Sequence, residues 1–251
     1  MNHSQAVAPN TCGYTNAHAS AHTCAQANSR DICLVLASQS PRRRELLQKA
    51  GYTVFCMPAH IDEARHDDEA PEALVKRLSR EKLLHVRAHF ESLRQGSTWR
   101  EMGVEEQTAD NFFLAADTIV WTDAGEVLGK PRDEADAYRK LAQLSGTKHH
   151  VSTAVFMSYR GIDHQLIETT DVWFFPLHDT QINAYIQTHE PMDKAGAYGI
   201  QGGAALFVEK ISGNYENVVG LPLAQTVRAI EDLYRQGQSA STRKSLEKTN
   251  R

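Results

Sequence analysis

The sequence predicts an α/β protein built on a mixed sheet. Short apolar, β-branched segments alternate along the chain with segments whose apolar residues recur at helical spacing. Residues 151–159 and 166–175 form a predicted hairpin around the turn at 160–163, which adds antiparallel pairing to any parallel strands. The chain of 251 residues is long enough for a well-buried core, as one large domain or two lobes.

Composition limits the partners that this chain can attract. Hydrophobic residues make up 41% and charged residues 23%, which is ordinary for a soluble globular protein. The net charge of 27 − 31 = −4 provides no basic field for nucleic acid or an anionic membrane. No apolar stretch approaches the roughly 20 residues of a membrane span, and the polar N-terminus has no signal-peptide core. We expect a cytoplasmic protein that binds neither nucleic acid nor membrane.

The two ends of the chain lack hydrophobic periodicity. Residues 1–30 are rich in Ala, Ser, Asn, Thr and His and are predicted to be a disordered leader, and residues 238–251 a disordered tail. The folded domain is therefore predicted at 31–237. A metal site in the leader is the alternative, but the spacing of its candidate ligands matches none of the usual paired patterns. These candidates are Cys12, His18, His22 and Cys24.

The first half begins with a buried strand at 32–37, followed by a helix at 42–50. Ser40 is the expected N-cap, Pro41 suits the first helical position, and Gly51 ends the helix. The remaining predicted elements of this half are a strand at 52–57, a helix at 71–90, an exposed loop at 95–110 and a strand at 112–121.

The second half adds a helix that Asp133 caps and that runs to Leu144, where Gly146 ends it. After the hairpin, the predicted elements are a helix at 179–189, a strand at 204–208 and a closing helix at 221–235. Helices and strands thus alternate through the whole folded part.

A basic turn at residues 38–44, Ser-Gln-Ser-Pro-Arg-Arg-Arg, joins the first strand to the first helix. Free N–H groups and the positive dipole end at a helix N-terminus favour an anion, and cations there are unfavourable unless an anion is bound. The turn therefore indicates phosphate binding, with a solvated basic turn as the alternative.

Asp117 lies inside a strongly apolar predicted strand, at residues 112–121. A carboxylate in such a strand costs free energy unless a metal, a cation or several donors compensate for its burial. Near the strand end it would face the crevice where α/β sheets bind ligands. The alternative is an Asp that points outward from an edge strand. Further on, Gly-Lys-Pro fixes Lys130 on a stiff turn.

Residues 193–203 contain four glycines, which let backbone approach a ligand closely, but they match neither the P-loop nor the dinucleotide fingerprint. Glu63 in a loop and Lys82 on a helix are further candidates, although each alone is better explained as a solvated surface charge. Together, basic groups and carboxylates indicate phosphoryl transfer or phosphoanhydride hydrolysis with a hard divalent ion.

Six motifs in order resemble the Maf family and cover about residues 32–236. They are 36–47 (Leu-Ala-Ser-Gln-Ser-Pro-Arg-Arg-Arg-Glu-Leu-Leu), 115–120 (Ala-Ala-Asp-Thr-Ile-Val), 129–131 (Gly-Lys-Pro), 144–146 (Leu-Ser-Gly), 193–202 (Asp-Lys-Ala-Gly-Ala-Tyr-Gly-Ile-Gln-Gly) and 217–222 (Asn-Val-Val-Gly-Leu-Pro). The resemblance implies a fold like the inosine-triphosphate pyrophosphatases: an elongated, twisted mixed sheet flanked by helices, with a deep cleft between two lobes. It also implies a homodimer that hydrolyses a nucleoside triphosphate between its α- and β-phosphates.

The resemblance also implies roles for individual residues. Asp117 matches the general base, and with Glu63 and Asp193 it matches the acids near a Mg²⁺ or Mn²⁺ ion. The residues implied to contact phosphate are Ser38, Arg43, Lys82, Lys130 and Lys194. The residues implied to set base specificity are Arg42, Thr118 and Gln201, which match the subgroup acting on dTTP and UTP.

The expected function is therefore removal of surplus or modified pyrimidine nucleotides, as a hydrolase that releases monophosphate and pyrophosphate. Two alternatives remain open. One is a non-catalytic nucleotide sensor that regulates cell division, and the other is a pyrophosphatase for methylated or deaminated purine nucleotides.

Overall fold

A computed structural model describes residues 32–95 and 111–249. The predicted leader at 1–30 and nearly all of the predicted loop at 95–110 lie outside these residues. The strands are β1 (Cys33–Leu36), β2 (Thr53–Cys56), β3 (Phe112–Thr122), β4 (Val127–Leu128), β5 (Lys148–Tyr159), β6 (Ile162–Phe174) and β7 (Val208–Ser212). The α-helices are α1 (Pro41–Lys49), α2 (Pro71–Gln95), α3 (Glu134–Leu144), α4 (Asp179–Ile186), α5 (Tyr215–Val219) and α6 (Leu223–Thr249).

The strands of the described chain form one seven-stranded sheet in the order β2-β1-β3-β5-β6-β7, with β4 added beside β3. β1 pairs in parallel with both β2 and β3. The other pairs in this order are antiparallel: β3 with β5, β5 with β6, and β6 with β7. The predicted α/β class with a mixed sheet is confirmed. The hairpin of β5 and β6 supplies the antiparallel half.

Alternation along β3 distributes its side chains between two packed layers. From Phe112, every second residue packs towards α1 and α6, and from Phe113 every second residue packs towards α2. Because the period of a strand is two, the same alternation places Asp117 on the α2 side and Thr118 on the α1 side. Two neighbouring polar residues therefore meet different helices.

A gap in the sheet exposes the middle of β3. The β1 pairing ends where Leu36 opposes Leu114, and the β4 pairing begins where Leu128 opposes Val120. β5 occupies the other edge of β3 along its whole length. In the described chain, residues 115–119 thus have no strand neighbour on the β1 side, and a cleft opens there at the carboxyl end of a parallel strand pair.

The apolar core divides on the two sides of this cleft. Clusters around β1, the first half of β3, α1, α2 and α6 form one part. A separate cluster joins the end of β3 and β4 to α3, α4, the end of β6 and the glycine-rich loop, by which we mean residues 193–203. The division agrees with the two lobes expected on either side of a cleft.

The predicted strand at 204–208 is wrong. A 3-10 helix occupies Gly203–Phe207, and the strand β7 follows it. Ala204 and Phe207 are buried, whereas Leu206 between them is 83% exposed. Burial of every third residue matches the 3-10 period rather than the alternation of a strand.

Several boundaries also differ. The closing helix α6 continues to Thr249 rather than ending near Arg235, because no proline or glycine follows Gly237 to interrupt it. The short helix α5 had no sequence prediction. Ser40 occupies the N-cap position of α1, but its side chain makes no capping hydrogen bond, whereas Asp133 caps α3 through the N–H of Asp136 at 2.7 Å. No helix among the described residues is both long and apolar enough to cross a membrane.

Candidate active site

The gap beside β3 opens into a cleft of about 1200 Å³. The basic turn, the middle of β3, the α2 face, the Gly-Lys-Pro turn and the glycine-rich loop all line it. All eleven site residues expected from the sequence lie on its wall: Ser38, Arg42, Arg43, Glu63, Lys82, Asp117, Thr118, Lys130, Asp193, Lys194 and Gln201. The roles expected for them differ in how well the local contacts support them.

Asp117 and Lys82 form the most buried charged pair on the cleft wall. Only 7% of Asp117 is exposed, and its Oδ1 accepts a short hydrogen bond from the Lys82 Nζ. The same Nζ lies 2.7 Å from Oε1 of Glu63, whose side chain is about half exposed. One ammonium thus compensates two carboxylates, which accounts for an acid in the middle of an apolar strand.

Glu63 and Asp117 are the acids that would hold a divalent ion. Both carboxylates contact the Lys82 ammonium, which occupies the point where they meet, and Mg²⁺ is commonly held by one or two carboxylates together with substrate phosphates. Asp193 does not join them: within the described ranges, no three Asp, Glu, His or Cys side chains form a group able to hold a metal. The expected three-acid set is therefore not assembled, and only its first two members share a position.

Arg43 is held by three acceptors from different parts of the chain. Its Nε donates to the Gly220 carbonyl at 2.8 Å, Nη1 to the Ser38 hydroxyl at 3.1 Å, and Nη2 to the Thr118 hydroxyl at 2.8 Å. Burial lowers the pKa of the Arg43 guanidinium, and the nearby Asp117 charge opposes that shift. Two of its five N–H groups remain for an anion in the cleft.

Ser38 and Thr118 both contact Arg43, in addition to the roles expected of them. Ser38 Oγ accepts from Arg43 and also from the N–H of Ser40, so it orders the basic turn. The Thr118 hydroxyl contacts Arg43 and lies 2.9 Å from the Thr153 hydroxyl. These contacts favour positioning of Arg43 over base recognition as the role of Thr118, because its hydroxyl already has protein partners.

The opposite wall carries a second set of charges. Lys194 Nζ donates to Asp193 at 2.7 Å and to the Glu190 carbonyl at 2.6 Å. Partial burial alone would raise the pKa of Asp193, but the Lys194 hydrogen bond and the Lys194 and Arg42 charges lower it below its ordinary value. Lys130 is exposed, and its ammonium has no hydrogen bond or ion pair within the described part of the chain. Lys130 is thus available to a phosphate.

Glu190 organises the glycine-rich loop, a role that no local sequence signal indicated. Its carboxylate accepts from the N–H of Gly203 at 3.0 Å and from the Tyr185 hydroxyl at 3.1 Å. The Tyr185 hydroxyl in turn accepts from the N–H of Gly199 at 3.1 Å. A Cβ on Gly202 would lie 1.9 Å from Oε1 of Glu190, so glycine is required for the carboxylate to fit beneath the loop.

His149 connects the glycine-rich loop to the apolar core. This fully buried side chain lies 2.8 Å from the Tyr198 hydroxyl through Nε2, and its ring packs edge-on against Phe174. Burial lowers the pKa of His149 to about 3. The imidazole is therefore neutral in the folded protein at any physiological pH.

A pH-dependent stability follows from His149. The unfolded chain binds a proton near pH 6.5 and the folded protein does not, so the free energy of unfolding falls as the pH falls below about 6.5. Between pH 7.5 and 5.5 the expected loss from this residue is on the order of 1 kcal/mol. Urea unfolding measures the free energy of unfolding at both pH values. Between them, this free energy should change less in His149→Gln than in the wild type, by the amount given above. The exposed His164→Gln is the control, and equal pH dependence in all three proteins would contradict the assignment.

Gln201 completes the wall at the tip of the glycine-rich loop. It is exposed, and its amide makes no hydrogen bond with other described residues. An amide offers both a donor and an acceptor. The Gln201 side chain is therefore available to read a base edge.

Comparison with known proteins agrees with this geometry. The family model described as "Maf-like protein" matches residues 33–233. A dTTP/UTP pyrophosphatase of Vibrio cholerae is 46% identical over 193 residues, covering 77% of this chain and 94% of the relative. Proteins of the same name from Halalkalibacterium halodurans and Geobacter sulfurreducens are 43% and 46% identical, over 79% and 81% of this chain and 94% and 96% of their own. The chain belongs to the Maf family.

Proposed function

We propose that this chain hydrolyses nucleoside triphosphates, dTTP and UTP above all, to the monophosphate and pyrophosphate, and so removes surplus or modified pyrimidine nucleotides. The single observation that supports this most strongly is the joint placement of the buried Asp117 and five cationic side chains around one cleft. The names of the relatives supply the reaction and the substrates.

The cationic residues match the charge of a triphosphate. Arg43 is held rigidly by three protein acceptors, and Lys130 is without a protein partner in the described chain. Lys194 and Arg42 approach from the glycine-rich loop and the basic turn, respectively. Such fixed charges stabilise the negative charge that develops on a departing pyrophosphate, which is the main source of rate in phosphoryl transfer.

Asp117 is the general base of the proposal. Its carboxylate, which contacts the Lys82 ammonium, takes a proton from a water that attacks the α-phosphate. When bound by Glu63 and Asp117, Mg²⁺ or Mn²⁺ would supply Lewis-acid polarisation of a phosphate oxygen. Lys82 lies between these acids and is the cation that can turn from them towards the phosphates.

Gln201 is proposed to select the base. Loss of one buried hydrogen bond costs about 1–3 kcal/mol, which is roughly 5- to 150-fold in discrimination. Gln201→Ala is therefore expected to lower the ratio of kcat/KM for dTTP over CTP by a factor in this range, with a smaller change in kcat for dTTP. Competition between the two triphosphates measures the ratio. An unchanged ratio would remove Gln201 from base recognition.

Product analysis tests the proposed reaction. Purified protein is incubated with Mg²⁺ and, in turn, dTTP, UTP, CTP, GTP, ITP and 7-methyl-GTP, and the products are separated by anion exchange. We expect monophosphate and pyrophosphate, fastest from dTTP and UTP. Diphosphate with orthophosphate would place the cut at the wrong bond. Preference for the last three nucleotides would favour a purine pyrophosphatase, and binding without turnover would favour a nucleotide sensor.

We also propose that the protein acts in the cytoplasm as a homodimer, in keeping with the resemblance described above. Light scattering of the eluting protein should give twice the chain mass. A mass equal to one chain would contradict the dimer.

A further inference from the structure

The segment Asn217–Pro222 resembles a family motif, yet nothing in the proposed chemistry uses it. Val218, Val219 and Gly220 lie on the cleft wall, whereas the Asn217 side chain is fully buried, as is its neighbour Thr153 on β5. The segment nonetheless reaches Arg43 twice. The Gly220 carbonyl accepts from Nε of Arg43 directly, and the Asn217 carbonyl is reached through two hydroxyl groups.

The hydroxyl chain has a defined direction. A carbonyl can only accept, so the Thr153 hydroxyl donates to Asn217 O at 3.2 Å. A guanidinium can only donate, so Thr118 accepts from Arg43, and its own hydroxyl proton points to Thr153 at 2.9 Å, a shorter contact than the 3.4 Å to the Gly220 carbonyl. The resulting order of donors, Arg43 to Thr118 to Thr153 to the Asn217 carbonyl, gives each group a partner.

The short helix α5 is itself fixed to the central strands. The side-chain Nδ2 of Asn217 donates to the Val151 carbonyl at 2.8 Å and to the Thr170 hydroxyl at 3.0 Å. Thr170 also donates to the Asn214 carbonyl at 2.9 Å and accepts from the Asn214 N–H at 3.0 Å. The Asn217 carbonyl is thus held in place by β5 and β6, and Gly220 follows directly at the end of α5.

We propose that Thr153 and Asn217 are positioning residues of the reaction: they hold Arg43 in the orientation that meets the triphosphate, without touching the nucleotide themselves. The inference rests on the proposed function, in which Arg43 binds phosphate. The Asn-Val-Val-Gly-Leu-Pro segment thereby sets the geometry of one guanidinium, which lies on the same side of the sheet because Thr118 and Thr153 oppose each other across β3 and β5.

Thr153→Val tests the proposal because it keeps the shape of the side chain and removes only the hydroxyl. We expect kcat for dTTP to fall about tenfold, the size expected for one buried hydrogen bond. KM should change less, since a tilted guanidinium still attracts the triphosphate but no longer meets the charge that develops in the transition state. Thr153→Ser restores the hydroxyl and should recover most of kcat.

A double-mutant cycle separates positioning from general damage. Lys at position 43 cannot make the three-acceptor contact, so in an Arg43→Lys background the Thr153→Val change should alter kcat by less than about twofold. Ser152→Ala is the matched control, because it removes a buried hydroxyl from the neighbouring position of β5. That hydroxyl accepts from the Trp121 indole N–H outside the cleft, so this variant should keep wild-type kcat. A similar loss from Thr153→Val in both backgrounds would overturn the proposal.

Pyrophosphate binding by calorimetry distinguishes failure of this inference from failure of the proposed function. If the wild type hydrolyses no nucleotide but binds pyrophosphate, the proposed reaction is wrong. Pyrophosphate carries the charge that develops on the leaving group, so the same cycle in pyrophosphate affinity still decides the positioning role. If the wild type does neither, both proposals are wrong. Should Thr153→Val fail to fold by circular dichroism, Thr153→Ala takes its place in the cycle.

Discussion

Asp117→Asn is expected to lower kcat for dTTP by about 10²- to 10⁴-fold, the usual contribution of a general base. The change keeps the size and shape of the side chain, and removes the negative charge that faces Lys82. An amide cannot accept the proton of the attacking water, so the loss should appear in kcat more than in KM. Because Asp117 also fits the divalent ion with Glu63, weaker metal binding would add to the loss.

Asp123→Asn is the matched control for this variant. Asp123 follows the end of the same strand and also pairs with a lysine, Lys148 at 3.0 Å, but it is exposed and lies outside the cleft wall. Its substitution should leave kcat unchanged. Melting temperatures of both variants show whether loss of the buried pair destabilises the fold. Turnover of a folded Asp117→Asn protein within a few-fold of the wild type would remove Asp117 from the role of base.

The second large effect is expected from Gly202→Ala. The added Cβ would lie 1.9 Å from Oε1 and 2.3 Å from Cδ of Glu190, so either the carboxylate or the loop must move by more than 1 Å. Glu190 would then lose its contacts with Gly203 and Tyr185, which hold the loop carrying Lys194 and Gln201. A displacement of about 1 Å in groups that position a substrate can cost roughly 10²-fold, and we expect a loss of this size in kcat/KM.

Gly203→Ala provides the comparison within the same loop. Its added Cβ would meet the ring edge of Tyr185 at 3.2 Å, a tight contact that a small ring movement relieves. Steady-state kinetics with dTTP should therefore show a much smaller loss for Gly203→Ala than for Gly202→Ala. Equal losses would mean that the Glu190 carboxylate does not determine the loop geometry.

Local sequence signals were sufficient for most elements and for the polar residues of the cleft. The apolar run around Asp117 predicted both β3 and the cost of burying its carboxylate, and the basic turn predicted the charged entrance to α1. The prediction failed where the spacing of apolar residues fitted more than one secondary structure, as in the 3-10 helix at Gly203–Phe207. Burial in that segment depends on which lobe it packs against, which a short apolar run does not encode.

The sequence by itself determined which groups are available: an acid that must be compensated, cations at a helix N-terminus and glycines where backbone packs closely. Only the tertiary structure decided which groups meet. The early end of β1 opens the sheet beside Asp117, and strand alternation sends Asp117 to Lys82 and Thr118 to Arg43. The Gly220 carbonyl reaches Arg43 across 177 positions of sequence. Such contacts depend on the pairing of distant strands, and a backbone carbonyl carries no residue-specific signal, so local patterns could not identify them.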